Sequence, residues 1–126
     1  MIDVLHLIIW GREFTLNVDY NLYDDEKISS NQEAMLTLLA NHPDWIEASK
    51  LKVEEYCKKA VDEDERNQKK DNIFSYIKPE YLFVKHDELN PRIAIMCKYK
   101  YDLEHGLAIV FDRNGNIEIG IQDIIL

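Results

Sequence analysis

Hydrophobic and polar positions divide the N-terminal part of the chain into two predicted strands. Residues 4–10 are rich in β-forming side chains, and every second residue from Phe14 to Tyr20 is hydrophobic. Gly11-Arg12 supplies a turn signal between the two segments. The pattern predicts a β-hairpin whose second strand has one buried face.

Two helices are predicted in the middle of the chain. Ser30 followed by Glu33 is a capping-box pattern, which predicts a helix over residues 31–40. His42-Pro43 ends that helix, and Pro43 is well placed to begin a second one over residues 43–61. The hydrophobic stripe of the second helix consists of Ile46, Val53, Cys57, Ala60 and Val61. A short helical turn over residues 72–77 is predicted before Pro79.

The C-terminal third predicts an antiparallel meander. Segments 81–84, 93–99, 107–111 and 117–121 are rich in β-branched or aromatic residues, and turn signals separate them. Asn114-Gly115 is the strongest of these signals. We therefore predict an α+β domain over residues 1–126, with an antiparallel sheet of about six strands and two to three helices packed on it. Residues 62–70 contain no hydrophobic side chain and are expected to form a mobile linker.

The charge of the chain narrows its choice of partners. The formal net charge is −9, and the basic residues do not cluster, so nucleic-acid binding is not expected. An acidic surface suits a basic protein partner. No stretch is long and apolar enough to predict a membrane span. Cys57 and Cys97 are expected to be reduced thiols, and residues 2–10 lack a basic leader, so a cytoplasmic location is expected.

The turn after the second meander strand contains the densest group of reactive side chains. Asp102, Glu104 and His105 precede Gly106, and carboxylates beside an imidazole can form an acid/base pair or bind a metal ion. The structural alternative is that Asp102 caps the turn and Gly106 permits a bulge or close chain approach. A functional site would require convergence with groups from elsewhere. The candidates for this convergence are His86, Asp87 and Glu88.

No other motif for catalysis or cofactor binding is present in the sequence. There is no Gly-x-Ser-x-Gly elbow, and four scattered glycines cannot form a phosphate-binding loop. No cofactor, metal ion or catalytic residue is therefore assigned.

The segment Tyr99-x-Tyr101-Asp-Leu-Glu-His-Gly-Leu-Ala-Ile-Val-Phe111, followed by the Gly-x-Gln-Asp ending, resembles a family of small uncharacterised bacterial domains. The signature positions of this resemblance are Asp102, Glu104, His105, Gly106, Gln122 and Asp123. Some small acidic α+β proteins of similar appearance are immunity proteins that neutralise bacterial toxins. The resemblance implies no catalytic residue.

The first functional hypothesis is a non-enzymatic protein-binding role, such as neutralisation of a basic toxin by an acidic surface. The candidate contact residues are Asp24, Asp25, Glu26, Asp62, Glu63, Asp64 and Glu65. The alternatives are a metal-dependent or hydrolytic enzyme that uses the turn of Asp102, Glu104 and His105, and a homo-oligomeric scaffold such as a homodimer. In a homodimer, a sheet edge or the hydrophobic residues 124–126 would join two copies.

Overall fold

The computed structural model describes residues 3–22, 27–60, 76–87 and 89–126, with the side chains of 58–60 excepted. Within these ranges, the structure contains six strands and two α-helices. In chain order they are β1 Val4–Ile9, β2 Arg12–Tyr20, α1 Ser30–Asn41, α2 Pro43–Ala60, β3 Ile77–Val84, β4 Arg92–Tyr99, β5 Leu107–Asp112 and β6 Ile117–Gly120. A short 3₁₀ helix, Gln122–Ile124, follows β6.

The six strands form one sheet in sequence order, from β1 at one edge to β6 at the other. The predicted α+β fold, the number of strands and the C-terminal meander are confirmed. The sheet is mixed rather than wholly antiparallel, because β2 and β3 pair in parallel while the other four pairs are antiparallel. The chain passes through both helices between β2 and β3, which is the long crossover that a parallel pair requires.

Both helices pack on one face of the sheet. Helix α1 contacts β3 and β4, and α2 contacts β1, β5 and β6. Ile46, Val53 and Cys57 of the predicted stripe are completely or almost completely buried in this core. The amphipathic pattern of α2 identified these three buried positions correctly, whereas the side chain of Ala60 and the whole of Val61 lie outside the described residues.

A second hydrophobic cluster lies on the other face of the sheet, where β3, β4 and β5 contribute alternate residues. It consists of Phe83, Ala94, Met96, Ala108, Val110 and Ile125. Ile125 is completely buried and Leu126 is 61% exposed. Residues 124–126 were considered as a contact between two copies, but Ile125 packs on its own chain.

The capping box of α1 lies one residue earlier than predicted. The Ser29 hydroxyl accepts from the Gln32 N–H at 3.1 Å, and the Ser29 N–H donates to the Gln32 side-chain oxygen at 2.9 Å. The Gln32 amide also donates to the buried carbonyl of Val84 at 3.2 Å. Gln32 therefore forms the capping box of α1 with Ser29 and also satisfies a backbone carbonyl of β3. The predicted capping box of Ser30 with Glu33 was wrong.

The first hairpin also turns one residue earlier than predicted, at Trp10 and Gly11 instead of Gly11 and Arg12. Both turn residues have positive φ, 50° at Trp10 and 85° at Gly11. The indole of Trp10 donates to the Ile46 carbonyl and to the Ser49 hydroxyl of α2, each at 3.2 Å. These contacts hold a bulky residue in a conformation that bulky residues rarely adopt.

Strand β3 begins at Ile77, which the sequence placed in a helical turn. Ile77 is buried and pairs with Tyr99, so its burial in the core overrides the local pattern. Pro79 lies inside the strand, next to a register shift between Pro79 and Tyr81. A bulge tolerates proline because it interrupts the hydrogen-bond ladder. Residues 72–75 of the predicted turn, and the linker 62–70, lie outside the described residues.

No helix in the described part of the chain is long and apolar enough to cross a membrane.

Candidate functional site

The connection between β4 and β5 is a tight, hydrogen-bonded turn. The Asp102 N–H donates to the Tyr99 carbonyl at 3.0 Å, and the Gly106 N–H donates to the Asp102 carbonyl at 2.8 Å. The Asp102 carboxylate accepts from the His105 N–H at 3.2 Å and contacts His105 Nδ1 at 2.9 Å. The prediction that Asp102 caps this turn is confirmed.

Gly106 permits a close chain approach that a side chain at this position would obstruct. Its φ is 64°, and a Cβ atom here would lie 2.7 Å from Gln122 Nε2 and 2.8 Å from the Cys97 carbonyl oxygen. The Gln122 side chain donates to that same carbonyl at 3.1 Å, and the Gln122 N–H donates to the His105 carbonyl at 3.0 Å. The two halves of the sequence signature therefore meet in one hydrogen-bonded structure.

The imidazole of His105 contacts the carboxylate of Asp102 and is influenced by the charges of two further carboxylates. The hydrogen bond to Asp102, and then the negative charge of Asp102, hold the pKa of His105 above its usual value. Glu104 and Asp123 raise it further by smaller amounts. His105, Glu104 and Asp123 are all exposed. The site therefore combines negative charge with a histidine whose positive charge is favoured.

The convergence with the β3–β4 connection that a functional site would require is not seen for His86 and Asp87. His86 and Asp87 follow β3, whereas Asp102 follows β4, so these connections lie at opposite ends of β4. The eight residues of β4 separate them by roughly 25 Å at about 3.3 Å per residue. Glu88 lies outside the described residues. In the part of the chain that the structure describes, no three His, Cys, Asp or Glu residues are placed to hold a metal ion.

Tyrosine side chains collect beside this turn, a feature that sequence reasoning missed. The rings of Tyr99 and Tyr101 meet edge to face with centroids 5.7 Å apart, and those of Tyr76 and Tyr101 do so at 5.3 Å. Lys100 Nζ lies 5.0 Å from the centre of the Tyr76 ring. Alternation along β4 could have paired Tyr99 with Tyr101, but no local pattern brings Tyr76 to the same place.

Helix α2 contributes Tyr56 and Cys57 to the same end of the sheet. Burial, followed by the negative charge of Asp102, raises the pKa of Tyr56. Burial also raises the pKa of both Cys57 and Cys97, so neither thiol is activated as a thiolate. Both cysteines are free and buried. In these positions the two cysteines act as small buried hydrophobic residues.

The tip of the turn is hydrophobic and exposed. Leu103 is 73% exposed, although the residues on either side of it are held by the Asp102 and Gly106 hydrogen bonds. We call residues 99–106, together with Tyr76, Gln122 and Asp123, the β4–β5 corner. It presents an aliphatic tip, aromatic rings and carboxylates next to one another.

The acidic loop residues predicted as partner contacts cannot be placed relative to this corner. Asp24, Asp25, Glu26, Asp62, Glu63, Asp64 and Glu65 all lie outside the described residues. Their role stays a prediction.

Comparison with protein families gives one match, to a domain of unknown function (DUF6985) over residues 4–126. The chain belongs to this family. No curated protein and no solved structure matches the chain. The prediction of an uncharacterised family is thus confirmed for this DUF6985 chain, and the likeness to immunity proteins stays a prediction.

Proposed function

We propose that this DUF6985 protein acts by binding another protein through the β4–β5 corner. The observation that carries the proposal is Leu103, a large aliphatic side chain that is 73% exposed on a turn fixed by hydrogen bonds. Burying such a side chain contributes about 1.5–3 kcal/mol. Because the turn is already ordered, little conformational entropy is lost on binding.

The aromatic side chains of the corner support the same role. Tyr76 and Tyr101 are partly exposed and hold each other by ring contacts. Tyrosine is enriched among residues that dominate protein interfaces, because it presents a large rigid surface with a polar end. Tyr101 is two residues from Leu103 in the same connection, so we include its ring in the proposed contact surface.

The charge of the corner favours a basic partner. Three carboxylates of the corner, Asp102, Glu104 and Asp123, outnumber its one lysine, Lys100, and the charges of all three act on His105. The whole chain has a formal net charge of −9, which adds attraction over longer distances. Within the protein-binding role we propose neutralisation of a basic bacterial toxin, the function that the resemblance to immunity proteins implies.

Catalysis at the corner has weaker support. His105 contacts Asp102, but the β3–β4 connection that was to supply further groups lies at the other end of β4. Among the described residues, no three His, Cys, Asp or Glu are placed to hold a metal ion, which leaves a metal-dependent role without a ligand set.

Charge reversal tests the electrostatic part of the proposal. The wild-type protein and a Glu104→Lys/Asp123→Lys variant would each be used to capture binding partners from lysates of cells that naturally produce this protein. The affinity of a captured protein for the wild type and for the variant would then be measured by calorimetry. The control is Glu47→Lys/Glu55→Lys, which changes two exposed residues of α2 and gives the same net charge. We expect a basic protein to be retained by the control and bound at least about tenfold more weakly by the corner variant. Equal affinity of both variants would contradict the proposal.

A second pair of variants tests the apolar tip. Leu103→Ser is expected to weaken binding by about 10- to 100-fold, which corresponds to the loss of one buried aliphatic side chain. Leu51→Ser on α2 is the matched control, since Leu51 is 62% exposed. Growth protection on co-expression with the captured protein then tests the toxin-neutralising role separately. Binding without protection would leave a protein-binding function and exclude immunity against that partner.

A further inference from the structure

Strand β1 is an edge strand, and its hydrogen-bonding pattern shows which backbone groups point away from the sheet. Ile9 pairs with Arg12 across the two-residue turn, and the Asp3 carbonyl accepts from the Val18 N–H at 2.8 Å. Odd-numbered residues therefore bond to β2, because the two kinds of pair alternate along an antiparallel ladder. The N–H and C=O groups that point outward belong to Val4, His6 and Ile8.

No described residue hydrogen-bonds to these outward groups. Within its own residues, the strand also lacks the charge, proline and bulge that commonly protect an edge. Residues Val4–Ile9 contain no charge and no proline, and the pairing with β2 has no bulge. This is unusual in a chain in which 31% of the residues are charged.

The opposite edge is better protected. Strand β6 has only four residues and includes Glu118. The chain then folds back, so that a Cβ atom on Gly120 would lie 2.9 Å from the side chain of Ile124. A strand from another molecule would therefore find a longer uncharged edge at β1.

The side chains that accompany the outward groups are hydrophobic at both ends of β1. Val4 is 46% exposed and Ile8 is 56% exposed. They lie on the sheet face away from α2, because the alternate residues Leu7 and Ile9 are buried in the helix-covered core. His6 lies between them, with its Nδ1 3.0 Å from the Thr15 hydroxyl.

We propose that β1 pairs antiparallel with β1 of a second copy, around a two-fold axis at His6. In this register, Val4 of one copy faces Ile8 of the other at both ends, so the edge is complementary to itself. The pairing forms about six backbone hydrogen bonds and continues the sheet from one copy into the next. A second copy is the favoured partner because β1 carries no charged side chain. Two acidic chains can therefore approach each other at this strand with little local repulsion.

This dimer is independent of the partner-binding role of the β4–β5 corner. The corner lies between two interior strands, whereas β1 is at the edge. The two proposals can therefore fail separately.

Charge placement along β1 tests both the dimer and its register. Sedimentation over a range of concentrations should show a reversible dimer for the wild type. Val4→Lys/Ile8→Lys places like charges opposite each other and should weaken the dimer at least about tenfold. Val4→Lys/Ile8→Glu places a lysine opposite a glutamate at both ends and should restore most of the affinity. A wild type that stays monomeric to millimolar concentration overturns the proposal, and so does a dimer that both variants leave unchanged.

Disulfide trapping locates the two-fold axis directly. His6→Cys puts the two new cysteines in a hydrogen-bonded pair, whose Cα separation of about 5.5 Å fits a disulfide. Oxidation should therefore give a covalent dimer. Val4→Cys is the control, because in this register the two copies of residue 4 are roughly 13 Å apart along the strands. Circular dichroism checks that each variant is folded, and a folded His6→Cys variant that forms no covalent dimer overturns the register.

Discussion

Replacement of Gly106 by alanine is expected to destabilise the protein far more than a surface turn substitution would. At a φ of 64°, a side chain costs about 1–2 kcal/mol in backbone strain. The new Cβ would also lie 2.7 Å from Gln122 Nε2 and 2.8 Å from the Cys97 carbonyl oxygen. Displacing Gln122 breaks its bond to that carbonyl, about 0.5–1.5 kcal/mol, and the backbone contact needs a further shift of about 1–3 kcal/mol.

Gly11→Ala provides the matched control for this prediction. Gly11 has a φ of 85°, but a Cβ atom there would have no other atom within 4 Å. The control therefore carries the strain without the collision. Urea unfolding followed by circular dichroism should show Gly106→Ala to be less stable than Gly11→Ala by about 2 kcal/mol or more. Equal destabilisation would refute the reasoning, since it would mean that Gln122 can move away from the new Cβ atom without a cost in free energy.

Three further predictions follow from the contacts described above. Ser29→Ala should lower the free energy of unfolding by about 1 kcal/mol in urea titration, and Ser30→Ala should change it by less than about 0.5 kcal/mol, because Ser29 is the helix cap. Ile125→Ala should cost about 2–5 kcal/mol in the same assay, as Ile125 is completely buried; a near-zero cost would mean that the C-terminus is not docked. Asp102→Asn should lower the pKa of His105 in an NMR titration. Because the folded-state pKa is raised, the stabilisation from protonated His105 is present below the unfolded-state pKa and is lost as the pH rises through the folded-state value.

Local patterns predicted the elements whose cause is local. The alternation of residues in the C-terminal third predicted four strands, and Gly115 has the positive φ, 82°, expected of the Asn-Gly turn. Asn114 does not share it, since the Asp112 carboxylate accepts from the Asn114 and Asn116 N–H groups and shapes a longer turn. The capped turn at Asp102 could also be predicted, because Asp102 and Gly106 are only four residues apart in the sequence.

Contacts between distant residues decided the rest of the candidate site. No periodicity joins Tyr76 to Tyr101, or Gln122 to the carbonyl of Cys97, because each contact depends on how separate strands and the C-terminal 3₁₀ helix lie in the sheet. The acidic loops chosen from composition were selected by charge alone. The exposure of Leu103 could be recognised only from the structure.

The sequence by itself determined that this chain forms an acidic α+β domain with a C-terminal meander, since hydrophobic alternation and turn residues act over short distances. Tertiary structure decided the parallel pairing of β2 with β3, the position of the first hairpin turn and the meeting of Gly106 with Gln122. Trp10 illustrates the reason. Its positive φ contradicts its local preference, and it is held there by hydrogen bonds to α2, 36 or more residues away along the chain. The conformational preference of a single residue is worth only about 1 kcal/mol. The combined hydrogen bonds and packing contacts of the core therefore outweigh it.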